Sequence, residues 1–154
     1  MARISVRDLA EFKQSKKRFT MLTSYDSLTA SLFDDAGIPV LLVGDSAANL
    51  VFGYDSTLPV TVEDMLPIVS AVARSTNNSL VVADMPFGSY QTSISSALKS
   101  ATKFLKAGAH AVKLEGGQRI VETVTALVEA GIPVMGHIGL TPQSVNVFGG
   151  YKVQ

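Results

Sequence analysis

Short β-branched runs alternate along this chain with amphipathic stretches, and the stretches end in glycine or asparagine. Residues 19–23 (FTMLT) predict a first strand. Residues 26–36 follow as a helix with Leu28, Leu32 and Phe33 on one face and Gly37 as a left-handed stop. Val40–Val43 is the second strand, and a long loop runs from Gly44 to about Pro59. Thr61 and Asp64 then form a capping box for a helix that reaches Ser75, with Pro67 inside it at what must be a first-turn or kinked position. Residues 80–83 form the third strand, 93–107 the third helix, 111–114 the fourth strand, 118–130 the fourth helix, and 133–136 begin the fifth strand. The stops AGIPV at 36–40 and AGIPV at 130–134 share one spelling, as expected where each helix must end and turn into the next strand.

Strands that alternate with helices imply a parallel sheet with right-handed crossovers, and continuously apolar strands imply burial on both faces. A doubly wound sheet and a (β/α)8 TIM barrel both fit. The first strand–helix turn lacks G-x-G-x-x-G, which weighs against a dinucleotide-binding sheet. Residues 6–14 read as a short amphipathic helix suited to covering the N-terminal end of a barrel. The α/β barrel is therefore preferred, as a single domain over 1–154: a helical cover at 1–17, then strands 1–5 with helices 1–4 over 18–154. Four to five βα units are about half of a barrel of ~250 residues. The chain stops in a polar loop at 151–154, so two unpaired strand edges and an exposed apolar face are expected.

Composition narrows the function classes. Apolar residues make up 47% and charged residues 17%, a globular balance. Lys+Arg and Asp+Glu number 13 each, which gives no electrostatic reason to expect nucleic acid or an anionic membrane. The basic run Lys16-Lys17-Arg18 is read as a solvated helix end, not an anion site. The absence of cysteine excludes disulfides, thiolate metal sites and a cysteine nucleophile, and it fits a reducing compartment. No N-terminal apolar run suits a signal peptide, no stretch approaches a membrane span, and Asn77-Asn78-Ser79 is a chance glycosylation match. A cytoplasmic protein is expected.

Ligands in parallel α/β folds meet the C-terminal ends of the strands. Just past those ends stand Ser24, Tyr25 and Asp26, then Asp45 and Ser46, then Asp84, then Lys113 and Glu115, and last His137. Asp45 and Asp84 directly follow apolar runs, where an unpaired charge is costly. On neighbouring strands they would repel each other, and a divalent cation removes that repulsion. All-oxygen ligation suits Mg2+, with Glu115 as a third contact, directly or through a water. Lys113 is read as a structural ion-pair partner or as the ligand of a substrate carboxylate; His137 is a satisfied strand-end residue or a substrate contact. Ser46 caps a turn or binds a ligand, Tyr25 and Asp26 start the first helix, and His110 is a surface residue at the opposite end. Such a cation would polarise an α-keto acid and support a metal-stabilised enolate.

The chain resembles the ketopantoate hydroxymethyltransferase family in several blocks in order: LVGDS at 42–46, DSTLPVT at 55–61, ADMPF at 83–87, VKLEGG at 112–117 and GHIGLTPQ at 136–143. None of the strand-end residues departs from the pattern. The resemblance implies a barrel of the phosphoenolpyruvate/pyruvate superfamily. It implies transfer of a hydroxymethyl group from 5,10-methylenetetrahydrofolate to 3-methyl-2-oxobutanoate, giving 2-dehydropantoate for pantothenate synthesis. It further implies Mg2+ and keto-acid binding by Asp45 and Asp84, a metal contact from Glu115, keto-acid binding by Ser46 and Lys113, and a homo-oligomer, usually a decamer. The family's general base is a glutamate on a later strand, beyond Gln154, so no catalytic residue is assigned in this chain. Other readings are another Mg-dependent keto-acid enzyme of the superfamily and an inactive half-barrel assembly component. The 55–61 block argues against the former.

Overall fold

The structure is a computed structural model that describes residues 3–150; the chain end at 151–154 lies outside the described residues. A capping box between Ser5 and Asp8 starts helix α1 (Val6–Gln14). Strand β1 (Met21–Thr23) and helix α2 (Ser27–Asp35) follow, then β2 (Val40–Val43) and a single helical turn, α3 (Ala47–Leu50). Next come α4 (Val62–Arg74), β3 (Leu80–Asp84), α5 (Ile94–Lys106), β4 (Ala111–Glu115), α6 (Val121–Glu129), β5 (Val134–His137) and a last turn, α7 (Val145–Phe148). All strand pairings are parallel and the spatial order is β1-β2-β3-β4-β5, the sequential winding of part of a (β/α)8 barrel.

Alternation along the strands divides the core in two. Leu41, Val43, Val81, Ala83, Val112 and Leu114 point into the larger cluster, where they meet Met65, Val69 and Val72 of α4 and Ala97, Ala101 and Phe104 of α5. Val40, Leu80, Val82 and Ala111 point the other way and are packed by Leu9 of α1 and by Ile4. Arg3 ties this cover down by donating to the Thr76 and Ser79 carbonyl oxygens, and the Ile4 N–H donates to Asn78 O. Helix α1 thus packs against the smaller cluster through Leu9. Both edge strands have one neighbour each, and their burial is incomplete. Leu28 and Leu32 on α2, and Val121 and Val128 on α6, are exposed beside those edges.

Several boundaries differ from the sequence reading. The loop after β2 contains α3, too short for periodicity to show. The helix expected over 118–130 begins as a 3-10 turn, Gly117–Ile120, because Gly116 at φ +150° redirects the chain there. Pro67 sits well inside α4 rather than in its first turn; its missing N–H leaves the carbonyl of an exposed residue, Glu63, without that partner. His110 is not a surface residue: it is half-buried, its Nδ1 accepts the Val81 N–H at 3.0 Å, and its own N–H donates to Val81 O.

Gly108 closes α5 at φ +108°, and a Cβ there would lie 2.7 Å from Ala73 Cβ on α4. Gly37 closes α2 at φ +77° with nothing within 4 Å of that position. Gly37→Ala should therefore cost about 1 kcal/mol of backbone strain alone, whereas Gly108→Ala adds a clash between helices for a total of about 2–3 kcal/mol. Paired thermal unfolding curves test this; equal losses would remove the close approach of α4 and α5 as the cause.

Candidate functional site

By the same alternation, Asp84, Lys113, Glu115 and His137 continue the face of the smaller cluster at its C-terminal end. Strand register then pairs them. Asp84 lies opposite Lys113 and Glu115 opposite His137. Lys113 Nζ is 2.6 Å from Asp84 Oδ1 and is that atom's sole polar partner among the described residues, a charge contact rather than an aligned hydrogen bond. His137 Nδ1 lies 3.1 Å from Glu115 Oε1 and 3.3 Å from Lys113 Nζ. A protonated Nδ1 facing the carboxylate satisfies the shorter contact, which leaves Lys113 directed at Asp84. Lys113 also stands 3.9 Å from Glu115 Oε1. Lys113 and His137 both stand at the strand mouth, and each is paired there.

Asp45 enters from the loop after β2. Its N–H donates to Asp84 Oδ2 at 3.1 Å, and its Oδ2 accepts from Gln143 Nε2 at 2.8 Å. Gln143, on the 3-10 turn Pro142–Ser144 after β5, is buried and fully engaged. Its Nε2 also donates to Met85 O, its Oε1 accepts from Tyr90 Oη at 2.7 Å and Gln91 Nε2 at 3.1 Å, and its N–H donates to Glu115 Oε2 at 3.0 Å. The Glu115 N–H in turn donates to Tyr90 Oη. A closed circuit of contacts results, Asp84, Asp45, Gln143, Glu115, Lys113 and back to Asp84, with His137 held against Glu115. Gln143 and Tyr90 were not among the sequence candidates, although Gln143 closes the GLTPQ block.

Burial sets the electrostatics. Asp45, Asp84, Lys113 and Glu115 are all under a tenth exposed. Burial first, and then the charge of Asp84, push the Asp45 carboxyl up to about 6. Burial raises Asp84 as well, against the pull of Lys113, and raises Glu115 against the hydrogen bond from Gln143. Three carboxylates face one ammonium, a charge deficit that a divalent cation beside Asp45 and Asp84 would fill. Asp84 and Glu115 each have both oxygens engaged, and Asp45 has a carboxylate oxygen without a hydrogen bond among the described residues. Among the described residues no group of three or more His, Cys, Asp or Glu side chains is gathered closely enough to hold one ion, so a three-carboxylate cage is not formed by this geometry.

Ser46 stands at the start of α3 and its hydroxyl is 2.7 Å from Tyr25 Oη, so Tyr25 reaches the mouth instead of merely opening α2. Asp26 does cap α2, accepting the Thr29 N–H at 2.9 Å, and Ser24 bonds within that turn. Beside the circuit, a cleft of about 420 Å3 opens between the loops after β3, β4 and β5, walled by Phe87, Ile120, Ile138 and Phe148 with Arg119 at its side. No helix among the described residues is long and apolar enough to cross a membrane.

Solved structures share this architecture. A 2,3-dimethylmalate lyase of the PEP mutase/isocitrate lyase superfamily superposes with a TM-score of 0.63 at 20% identity, covering 84% of this chain and 51% of that one. Phosphonopyruvate hydrolase, solved with oxalate and Mg++, gives 0.63 at 15% identity over 100% of this chain and 70% of that one. At such identities the likeness shows the fold alone, part of a (β/α)8 barrel. Sequence relatives are far nearer. The 3-methyl-2-oxobutanoate hydroxymethyltransferase of Thermobifida fusca (strain YX) is 65% identical over 99% of this chain and 55% of its own length; that of Frankia casuarinae is 61% identical over 99% and 52%. The chain spans about half the length of the curated relatives it matches. The family model described as ketopantoate hydroxymethyltransferase runs through residues 3–154, and the chain belongs to that family.

Proposed function

We propose that this chain carries the metal and keto-acid platform for transfer of a hydroxymethyl group from 5,10-methylenetetrahydrofolate to 3-methyl-2-oxobutanoate, giving 2-dehydropantoate. The observation that carries the reading is the buried Asp45–Asp84–Lys113 group at the strand mouth, which holds more negative charge than its one ammonium offsets. Asp45 and Asp84 are the residues to hold Mg2+, with Glu115 behind them through a water. The cation, when bound, polarises a ketone and offsets carboxylate charge.

The chain's own residues do the rest of the binding. Lys113, 2.6 Å from Asp84 Oδ1, offers its remaining protons to a ligand carboxylate. Ser46 adds a neutral donor on the other side of Asp84. Gln143 fixes one Asp45 oxygen and so turns the other toward the ligand. His137, a third exposed at its side chain, is open to a substrate contact. No residue of this chain is assigned as the base that removes the C3 proton.

Asp84→Asn should weaken Mg2+-dependent binding of 3-methyl-2-oxobutanoate at least tenfold in calorimetry, since it removes the charge nearest both Asp45 and Lys113. Unchanged affinity for both metal and keto acid would end the metal assignment. Exchange of the C3 proton in D2O needs no folate: a full-length family member should catalyse it with Mg2+, whereas this chain, in which no base is assigned, should not.

A further inference from the structure

Ser46 occupies the N-cap position of α3, yet its hydroxyl makes no capping bond and its backbone is already helical, at φ −57° and ψ −10°. A serine there ordinarily turns its hydroxyl onto an N–H of the first turn. Here the hydroxyl meets Tyr25 Oη at 2.7 Å instead. Gly44 provides the space: a Cβ at that position would stand 2.8 Å from Ser46 Oγ and 3.7 Å from Asp84 Oδ2. The serine hydroxyl and the aspartate oxygen therefore share one niche over a bare backbone. Ser46 also keeps partial exposure, so its hydroxyl is open to a ligand.

Tyr25 is held firmly enough to direct that hydroxyl. Its ring packs against the main core, and the turn that presents it is fixed by the Asp26 cap and by the Ser24–Thr29 contact at 3.0 Å. We propose that Tyr25 is a positioning residue for Ser46: its phenol donates to Ser46 Oγ, which commits the serine's own proton to a carboxylate oxygen of the keto acid. This rests on the keto-acid reading above. A phenol is the stronger acid of the two hydroxyls, so the shared proton runs from tyrosine to serine. Burial raises the Tyr25 pKa, and the charges of Asp45 and Asp84 add to that, which keeps the phenol protonated. Without the phenol, the serine hydroxyl loses the one side-chain partner that fixes its rotamer, because the first N–H groups of α3 already donate to the carbonyls of Gly44, Asp45 and Ser46. An anionic ligand entering beside Asp45 and Asp84 would then lose a donor where it most needs one.

A double-mutant cycle on the 154-residue chain tests this, with 3-methyl-2-oxobutanoate titrated calorimetrically in Mg2+. Tyr25→Phe keeps the ring and the core packing, and it should weaken binding about tenfold. Ser46→Ala should weaken it at least as much, and the double variant should bind no more weakly than Ser46→Ala alone, because Tyr25 acts through that hydroxyl. Wild-type affinity in Tyr25→Phe overturns the proposal. So does a double variant weakened by the product of the two factors, which would make Tyr25 an independent contact. Absence of keto-acid binding by the unsubstituted chain would overturn the functional reading and this inference together, and is thereby distinguished from the other two results.

Discussion

Lys113→Met is expected to cost the folded chain about 3–5 kcal/mol, the range for removing one partner of a buried ion pair. The physical reason is what stays behind. Asp84 is 3% exposed, and its Oδ1 has no polar partner among the described residues other than the Lys113 ammonium at 2.6 Å. Methionine fills the space but leaves that carboxylate charged, buried and beside Asp45. Urea unfolding at pH 7 reads the loss as a lower midpoint at unchanged slope. Two companion measurements make the assignment specific. Asp84→Asn in the Lys113→Met background should recover part of the stability, because the uncompensated charge is gone. The deficit should also shrink as pH falls: burial already raises the Asp84 pKa, loss of Lys113 raises it further, and a carboxyl raised in the folded state favours folding at low pH. A Lys113→Met variant within about 0.5 kcal/mol of the parent would mean that the pair adds nothing beyond its packing.

Asp34→Ala is expected to cost about 3 kcal/mol, although the residue lies far from the strand mouth. Asp34 is near the end of α2 and accepts the backbone N–H groups of Asn77, Asn78 and Ser79, the Asn78 side-chain amide and the Ser79 hydroxyl. It thus fixes the turn that leads into β3. Truncation strands several donors, of which the Ser79 N–H is fully buried, while the Ser79 hydroxyl keeps Ile38 O as an acceptor. These hydrogen bonds outweigh the opposing effect of burial and hold the Asp34 carboxyl down, from 3.8 to about 2. A lowered carboxyl stabilises the fold above its unfolded-state pKa and stops doing so as pH drops through the folded value. The parent chain should therefore lose about 2 kcal/mol between pH 4 and pH 2 through this group. Asp34→Asn keeps one acceptor and should flatten that part of the profile. An unaltered acid limb in Asp34→Asn would assign the pH dependence to another carboxylate.

Much of the architecture is legible in the chain because its signals are local. Each βα unit carries its own period and its own stop, so the five parallel strands and the helices between them follow from patterns a dozen residues long. Asp45, Asp84, Lys113 and Glu115 are conspicuous for a related reason: a charge beside an apolar run costs free energy unless something answers it, and the structure brings all four to one face. What the residues do not announce is their partner. Gln143 is an amide in a polar loop, and only the folded chain shows that it bonds a carboxylate 98 residues earlier in sequence. Tyr25 reads as the start of α2 because its hydroxyl partner lies on a different unit, 21 residues away. Asp34 left a faint local trace, an acid in the last turn of a helix where the dipole opposes it, but its acceptor role depends on a turn 43 residues downstream. α3 is a single turn, below the length at which period can be read.

The Asp45–Gln143 bond also sets a timetable. Strands β2, β3 and β4 can pair once about 115 residues exist, and they bring Asp45, Asp84 and Lys113 together at that stage. Gln143 arrives last, across the longest sequence separation of any side-chain bond described here. Closing so long a loop is slow compared with neighbouring strand pairing. The mouth is therefore the final region to set during folding, after the surrounding sheet is already in place. In pulse-labelled hydrogen exchange, the amide of Gln143 should gain protection later than those of Asp45 and Val81.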